Sequence, residues 1–165
     1  MPFEIERKFL VRGSAWRDHA TECYQIRQAY LASEGKASIR VRIKDKGGAA
    51  LTIKSRTAER RRLELEYPIP VLEAEALIAL RRGSIIEKDR YIVPHAGKSW
   101  EVDVFAGSNA GLVIAEVELQ DEHERVPLPP WAGPEVTGQA PYYNSALTVH
   151  PFIDWPHEKK AALGS

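Results

Sequence analysis

Carboxylates and cations stand two residues apart again and again in this chain: Glu4 and Glu6 with Lys8, Arg40 and Arg42 with Lys44, Lys54 with Arg56, Glu64 with Glu66, Lys88 with Arg90, and Glu116 with Glu118. Paired carboxylates offer the hard oxygens that hold Mg²⁺ or Mn²⁺, and closely spaced Arg and Lys neutralise phosphate oxygens. Side by side, the two sets suit a polyanion accompanied by divalent cations. No glycine-rich phosphate loop is present, so side chains rather than a helix N-terminus would hold the anion.

The residues between the charges are mostly apolar, as in Arg40-Val41-Arg42-Ile43-Lys44. Side chains at i and i+2 of a strand share a face, so each segment reads as a strand with one charged and one apolar face. Strands are predicted over 3–11, 24–31, 38–46, 50–56, 62–69, 85–93, 99–105 and 112–119. Gly47-Gly48 suits the positive φ angles of a tight hairpin. A short amphipathic stretch is expected over 15–21. Leu72, Ala76, Leu77 and Leu80 recur at helical spacing and predict a helix over 71–80. Pro127, Pro129, Pro130 and Pro134 mark an irregular segment, 144–149 reads as a short helix, and the tail from Pro156 as helical or frayed. About eight mostly antiparallel strands are what a small closed barrel needs.

Alternation alone leaves two barrels open. With the charges outward, the interior is a dry core of residues such as Phe3, Ile5, Phe9, Val41, Leu65 and Val117. With the charges inward, the apolar faces need helices over them, and the lumen needs a ligand, because buried like charges are tolerated only with counter-ions. A wet antiparallel sheet explains the alternation of any one segment. It does not explain why acidic pairs and basic pairs keep to separate strands.

At 165 residues the chain is long enough for one domain with a real core. Its 23 basic and 23 acidic residues cancel, so no net field gathers nucleic acid, and no apolar run approaches the roughly 18 residues of a membrane span. Neither nucleic acid nor membrane is an expected partner. The acidic opening Met-Pro-Phe-Glu-Ile-Glu does not read as a signal peptide, so the expected compartment is the cytoplasm. Cys23 stands alone, which excludes an intrachain disulfide, and it reads as a small buried residue. The five histidines lack zinc-site spacing. Trp131 reads as a packing residue of a plug or lid, and the basic run 56–62 as a solvated turn able to guide anions toward a tunnel mouth.

The ordered series Glu4-x-Glu6-x-Lys8, Arg40-x-Arg42, Lys54, Glu64-x-Glu66, Lys88-x-Arg90, Asp103 and Glu116-x-Glu118 resembles the CYTH proteins, the triphosphate tunnel metalloenzymes, which open on a Glu-x-Glu-x-Lys signature. The resemblance covers residues 1–151 and leaves 152–165 as a tail. It implies a mainly β fold: a closed antiparallel eight-stranded barrel forming a tunnel with a charged lumen, covered outside by a few helices. It also implies cleavage of a phosphoanhydride bond with Mg²⁺ or Mn²⁺ as cofactor. Members of this short bacterial type commonly split inorganic triphosphate into pyrophosphate and phosphate. Relatives hydrolyse thiamine triphosphate, remove RNA 5′ phosphates or, as class IV-type adenylate cyclases, cyclise ATP.

By the same resemblance, Lys8, Arg40, Arg42, Lys54, Lys88 and Arg90 are phosphate clamps. Glu4, Glu6, Glu116 and Glu118 are metal ligands, with Glu64, Glu66 and Asp103 as further ligands or as groups that orient them. Tyr30 matches a tyrosine that in some members pairs with the lysine at the position of Lys54. A lysine among Arg40, Arg42, Lys8 and Lys88 is expected to have a lowered pKa, which would let Lys54 act as a general base; otherwise it is a clamp. The intact acidic pairs favour an enzyme over a non-catalytic polyphosphate-binding module, which would gain from losing them. A homodimer is the one protein partner left open.

Overall fold

The structure, a computed structural model, describes residues 3–57 and 61–156. Its strands are β1 (Phe3–Val11), β2 (Glu22–Ala32), β3 (Ala37–Lys44), β4 (Gly48–Ser55), β5 (Arg61–Ile69), β6 (Arg82–His95), β7 (Lys98–Phe105), β8 (Val113–Glu118) and β9 (Ala132–Glu135). The eight predicted strands are all present to within a few residues. The ninth corrects the expectation of an irregular segment. Ala-Gly-Pro-Glu carries no alternation to read, and it is a strand only because it hydrogen-bonds along the far half of β1, as an edge strand that tolerates proline.

All pairings are antiparallel and run β5-β4-β3-β2-β6-β7-β8-β1; β1 then returns to β5 through Phe3↔Leu63 and Glu4↔Arg62, closing an eight-stranded ring. β1 changes partner along its length. Its start pairs with β5, and from Phe9 onward the same side is taken by β9. The β3–β4 hairpin sets Lys44 opposite Gly48, and of the glycine pair it is Gly48 that supplies the positive φ, 70°.

The charges point inward, and the apolar outer faces are covered in two patches. Over β1, β6, β7 and β8, Phe9, Val93, Trp100 and Val102 pack under Trp16, from a 3₁₀ turn at Ala15–His19, and under Trp131. Trp100 and Trp131 meet edge-to-face with centroids 5.5 Å apart, so Trp131 belongs to this outer core rather than to a lid. Over β2, β3 and β4, helix α1 (Val71–Ile78) lays Ala74 and Ile78 on Ala29 and Val41. Full burial of a large apolar side chain contributes about 1.5–3 kcal/mol, so these outer patches supply much of the driving force that a charged lumen does not.

The lumen has two storeys. One pleat beyond Lys8, Lys88, Asp103 and Glu116, the inward residues become Leu10, Ile86, Phe105 and Ile114, which join Val136, Tyr142, Leu147 and Phe152 in an apolar floor. After β9 the chain turns under the barrel to complete that floor through helix α2 (Asn144–Leu147), a single turn where six residues were expected. Phe152 is in the floor and Trp155 packs on it, so close packing continues past residue 151; residues 157–165 of the expected tail lie outside the described residues. Among the described residues no helix is long and apolar enough to cross a membrane. Cys23 is exposed, not buried as expected, because β3 reaches along β2 only as far as Ile26 and leaves the start of β2 uncovered on that side.

Candidate active site

Above the floor lies a cavity of about 510 Å³, lined by every site residue predicted from sequence except Asp103 and Glu118. Its acidic side is built by Glu4 and Glu6 on β1, Glu64 and Glu66 on β5, and Glu116 on β8. Its cationic side is built by Arg40 and Arg42 on β3 and by Lys88 and Arg90 on β6. Glu118 stands opposite Glu6 in the β1–β8 register but is the last residue of its strand and is exposed at the rim. Asp103 is buried behind the cavity. Its two oxygens accept from Arg90 Nε at 2.7 Å and Nη2 at 2.9 Å, and Lys88 Nζ lies 2.8 Å from Oδ2.

The four cations are not equivalent. Burial would raise the Asp103 pKa, but Arg90 and Lys88 outweigh it and hold the carboxyl well below its ordinary range. Burial pushes Lys88 down to about 7, helped by Arg90 and Arg42 and opposed by Asp103. Arg40 instead donates from Nη2 to Thr52 Oγ1 at 3.2 Å, and that hydroxyl donates to Glu66 Oε2 at 3.2 Å. The Arg40 Nε is buried with no hydrogen-bond partner. Arg42 donates from Nε to Gln28 Oε1 at 2.8 Å; burial, then Arg40 and Arg90, push its pKa down to about 10. Among the described residues neither Arg40 nor Arg42 forms an ion pair, a state that favours an anion between them.

On the acidic side Lys54 Nζ lies 2.6 Å from Glu4 Oε2 and 3.4 Å from Glu64 Oε2, and Lys8 Nζ lies 3.4 Å from Glu116 Oε1. The expected lowering of the Lys54 pKa is overturned. Burial and Arg40 do disfavour its charge, but Glu6, Glu4 and Glu64 outweigh them and set the ammonium above the ordinary lysine value. The carboxylates of β1 and β5, absent from the sequence-based argument, are its immediate neighbours. Burial first, then Glu116 and Glu4, raise Glu6 well above the carboxylate range. Glu116 is held down at about 2 by Lys8, Arg90 and Lys88 against burial and Asp103. Tyr30 is buried on the cavity wall, where its hydroxyl accepts from Gln28 Nε2 at 3.4 Å; among the described residues it shares no hydrogen bond with Lys54.

Sequence reasoning missed several lining residues. Glu101, 3.0 Å from Arg90 Nη1, stands two residues before Asp103 and could have been found by the same spacing. Thr52 stands two before Lys54, and Gln28, behind the wall, two before Tyr30; neither carries a charge to draw notice. Tyr143 and Asn144 come from beyond the barrel strands, where no alternation points at them. The Tyr143 ring lies 4.8 Å from the Arg62 guanidinium carbon and 5.4 Å from Lys8 Nζ.

Among the described residues no three His, Cys, Asp or Glu side chains converge as a ready metal site. What is present is a set of hard oxygens. Glu4 Oε2 and Glu64 Oε2 are buried beside the Lys54 ammonium but accept no aligned hydrogen bond. Mg²⁺ keeps several waters and is usually held by one or two carboxylates together with substrate phosphates. The donor set therefore fits a cation held by one or two carboxylates together with a polyphosphate.

An eight-stranded antiparallel ring with acids and cations facing each other across its lumen is the architecture of the CYTH domain. That family's model matches residues 2–148, and the chain belongs to the family. It is similar to the inorganic triphosphatase of Acetivibrio thermocellus, with 46% identity over 151 residues covering 90% of this chain and 95% of that one. It is also similar to the inorganic triphosphatase of Nitrosomonas europaea, with 37% identity over 151 residues covering 88% and 97%. The crystal structure of the inorganic triphosphatase NE1496 shares the fold with a TM-score of 0.64 at 34% identity, covering 94% of this chain and 98% of that one.

Proposed function

We propose that this chain is a metal-dependent triphosphatase that hydrolyses inorganic triphosphate to pyrophosphate and phosphate inside the charged lumen. The carrying observation is Arg40 and Arg42: two adjacent inward guanidiniums, bonded only to neutral groups, one with a buried unpartnered N–H, facing a wall of carboxylates. A triphosphate supplies the missing anion. The inorganic triphosphatases at 46% and 37% identity support the same substrate.

In this reading Arg40 and Arg42 grip phosphate oxygens, aided by Lys8, Lys54 and Arg90 at the edges of the same cavity. Glu4, Glu6 and Glu116 would hold Mg²⁺ or Mn²⁺, with Glu64 and Glu66 beside them and Glu118 at the rim. Bound there, the cation supplies Lewis acidity to the phosphate oxygens. Asp103 holds Arg90 and Lys88 in place, keeps Arg90 charged and opposes the loss of charge that burial imposes on Lys88. Lys54, ion-paired with Glu4 and Glu64, serves as a charged clamp; a base role shared with Tyr30 would require it to shed a proton that three carboxylates favour. Water attack on a terminal phosphorus breaks one P–O–P bond and releases pyrophosphate.

Phosphate release should be assayed from triphosphate, thiamine triphosphate, ATP and pyrophosphate with Mg²⁺, with Mn²⁺ and with EDTA. Triphosphate is expected to be the fastest substrate, with no turnover in EDTA. Undiminished turnover in EDTA would remove the metal from the reading, and faster thiamine triphosphate or ATP hydrolysis would replace the substrate.

A further inference from the structure

The segment after β9 does more than complete the floor. Asn144 sits where it meets the charged storey, and its Oδ1 accepts from two lumen groups on different strands: Lys88 Nζ at 2.8 Å and Gln28 Nε2 at 3.2 Å. Gln28 is fully buried, and its Oε1 receives the Arg42 Nε at 2.8 Å. Lys88 in turn touches Asp103, which carries Arg90. A continuous relay thus runs from Arg42 through Gln28 and Asn144 to Lys88, Asp103 and Arg90.

An amide such as Gln28 has one acceptor end and one donor end. With the Oε1 end committed to Arg42, its Nε2 end must face an acceptor. Arg42 cannot offer one, and across the β2–β6 pairing Gln28 meets Ile86, which cannot either. The Tyr30 hydroxyl offers a longer contact of 3.4 Å. The Asn144 Oδ1 and the Arg42 Nε–H therefore hold the amide from its two ends, with Asn144 the shorter acceptor on the Nε2 side. Without Asn144, Nε2 is left with the 3.4 Å Tyr30 contact, and the side chain that receives Arg42 loses its anchor to the segment after β9.

We propose that Asn144 is a positioning residue for the phosphate clamp: by anchoring Gln28 it aims the Arg42 guanidinium into the cavity, and through Lys88 it ties that clamp to the Arg90 side. The inference rests on the reading of the lumen as a triphosphate site. It adds that a residue from outside the barrel strands sets the affinity for the substrate.

Three variants separate positioning from packing. Asn144→Leu keeps the volume and removes the acceptor; Asn144→Asp keeps the acceptor; Asn144→Ala, at a half-buried position, is the fallback should Leu not fold. With triphosphate and Mg²⁺, Asn144→Leu and Asn144→Ala are expected to raise KM about 10-fold or more, the effect of losing one hydrogen bond to a charged network, with kcat much less affected. Asn144→Asp should recover most of that loss. A second readout needs no turnover: the Arg42 Nε–H resonance, assigned by its disappearance in Arg42→Lys, should be protected from solvent exchange in the metal-free wild type and in Asn144→Asp but exchange fast in Asn144→Leu. If Asn144→Leu keeps a wild-type KM and a protected Arg42 Nε–H, or if Leu and Asp lose equally in both readouts, Asn144 only packs and the proposal is overturned. A wild type that protects Arg42 through Asn144 yet leaves triphosphate intact would overturn the substrate reading and leave the relay standing.

Discussion

Two stretches of this barrel carry nearly the same motif and meet opposite fates. Arg40-x-Arg42 on β3 and Lys88-x-Arg90 on β6 both place two cations on the inward face. On β6 the neighbouring strand β7 brings Asp103 into register with Arg90, and Glu101 follows within 3.0 Å of it, so the pair is neutralised inside the wall. On β3 the facing residues are Gln28 and Tyr30 on β2 and Ala50 and Thr52 on β4, none of which is charged. The difference lies in the cross-strand neighbour, not in the motif: one pair is part of the framework and the other is left with charge to offer a ligand.

The most severe way to test that contrast is to remove the anion behind β6. Breaking a buried ion pair by deleting one partner costs about 3–5 kcal/mol, so Asp103→Ala should lower Tm by about 10 °C for a chain of this size. Arg42→Ala strands no carboxylate, only the neutral Gln28 Oε1, and relieves the repulsion from Arg40 and Arg90, so its Tm loss should be far smaller. Thermal unfolding of the two variants side by side decides; similar losses from both would mean the two pairs are equally structural.

The ligand side of the contrast is tested by adding triphosphate. A ligand that binds only the folded state at a hundredfold excess over its Kd stabilises it by roughly 2.7 kcal/mol. Wild-type Tm should rise accordingly, and Arg40→Ala and Arg42→Ala should lose most of the rise. An undiminished response in both variants would move the anion site away from β3.

A smaller effect separates two carboxylates on neighbouring strands. Glu6 has its pKa raised chiefly by burial, so its ionised form costs stability in the folded state; that cost is full above the folded pKa and vanishes once pH falls below the unfolded value of about 4.3. Glu116 is depressed to about 2, so it contributes stability above about pH 4.3 that is lost as pH falls toward 2. Metal-free Glu6→Gln should therefore melt higher than wild type at pH 7, with the gap closing near pH 4. Glu116→Gln should melt lower at pH 7, with its deficit shrinking only below about pH 4.3. Parallel curves for the two variants would mean that the acidic wall titrates as one unit.

Much of this was legible in the sequence, for a physical reason. A period of two with charge on one face marks the strands and the residues that share a face, which is why β1 through β8 emerged from spacing; that the charged faces line a lumen was implied by the ordered series that resembles the CYTH proteins. What escaped lacks that period or depends on partners distant in sequence. β9 is a strand only by virtue of β1. Asn144 acts from a segment with no alternation. The direction of the Lys54 shift could not be reasoned from Arg40 and Arg42, because its nearest charges are Glu64, its cross-strand partner in the β4–β5 pairing, and Glu4, brought in by the closure of β1 on β5. Spacing names the faces of strands; it does not name their neighbours.

Lys54 offers the finest test, because it lies where the two walls meet. If its role is that of a fixed positive charge, as the flanking Glu4 and Glu64 favour, Lys54→Arg preserves that charge, and kcat for triphosphate should stay within roughly tenfold of wild type. If Lys54 instead accepts a proton during turnover, the arginine cannot replace it at any accessible pH, and the loss should reach the 10²–10⁴-fold typical of a positioned acid or base. The pH–rate profile adds a second discriminator. A charged clamp with its pKa held above the ordinary lysine value leaves the alkaline limb unchanged between wild type and Lys54→Arg, whereas a base acting through its neutral form would give the wild type a rising limb that the variant lacks. A hundredfold fall in kcat together with a lost limb would assign Lys54 to proton transfer and set it apart from Arg40 and Arg42; a matching profile would place all three in one clamp.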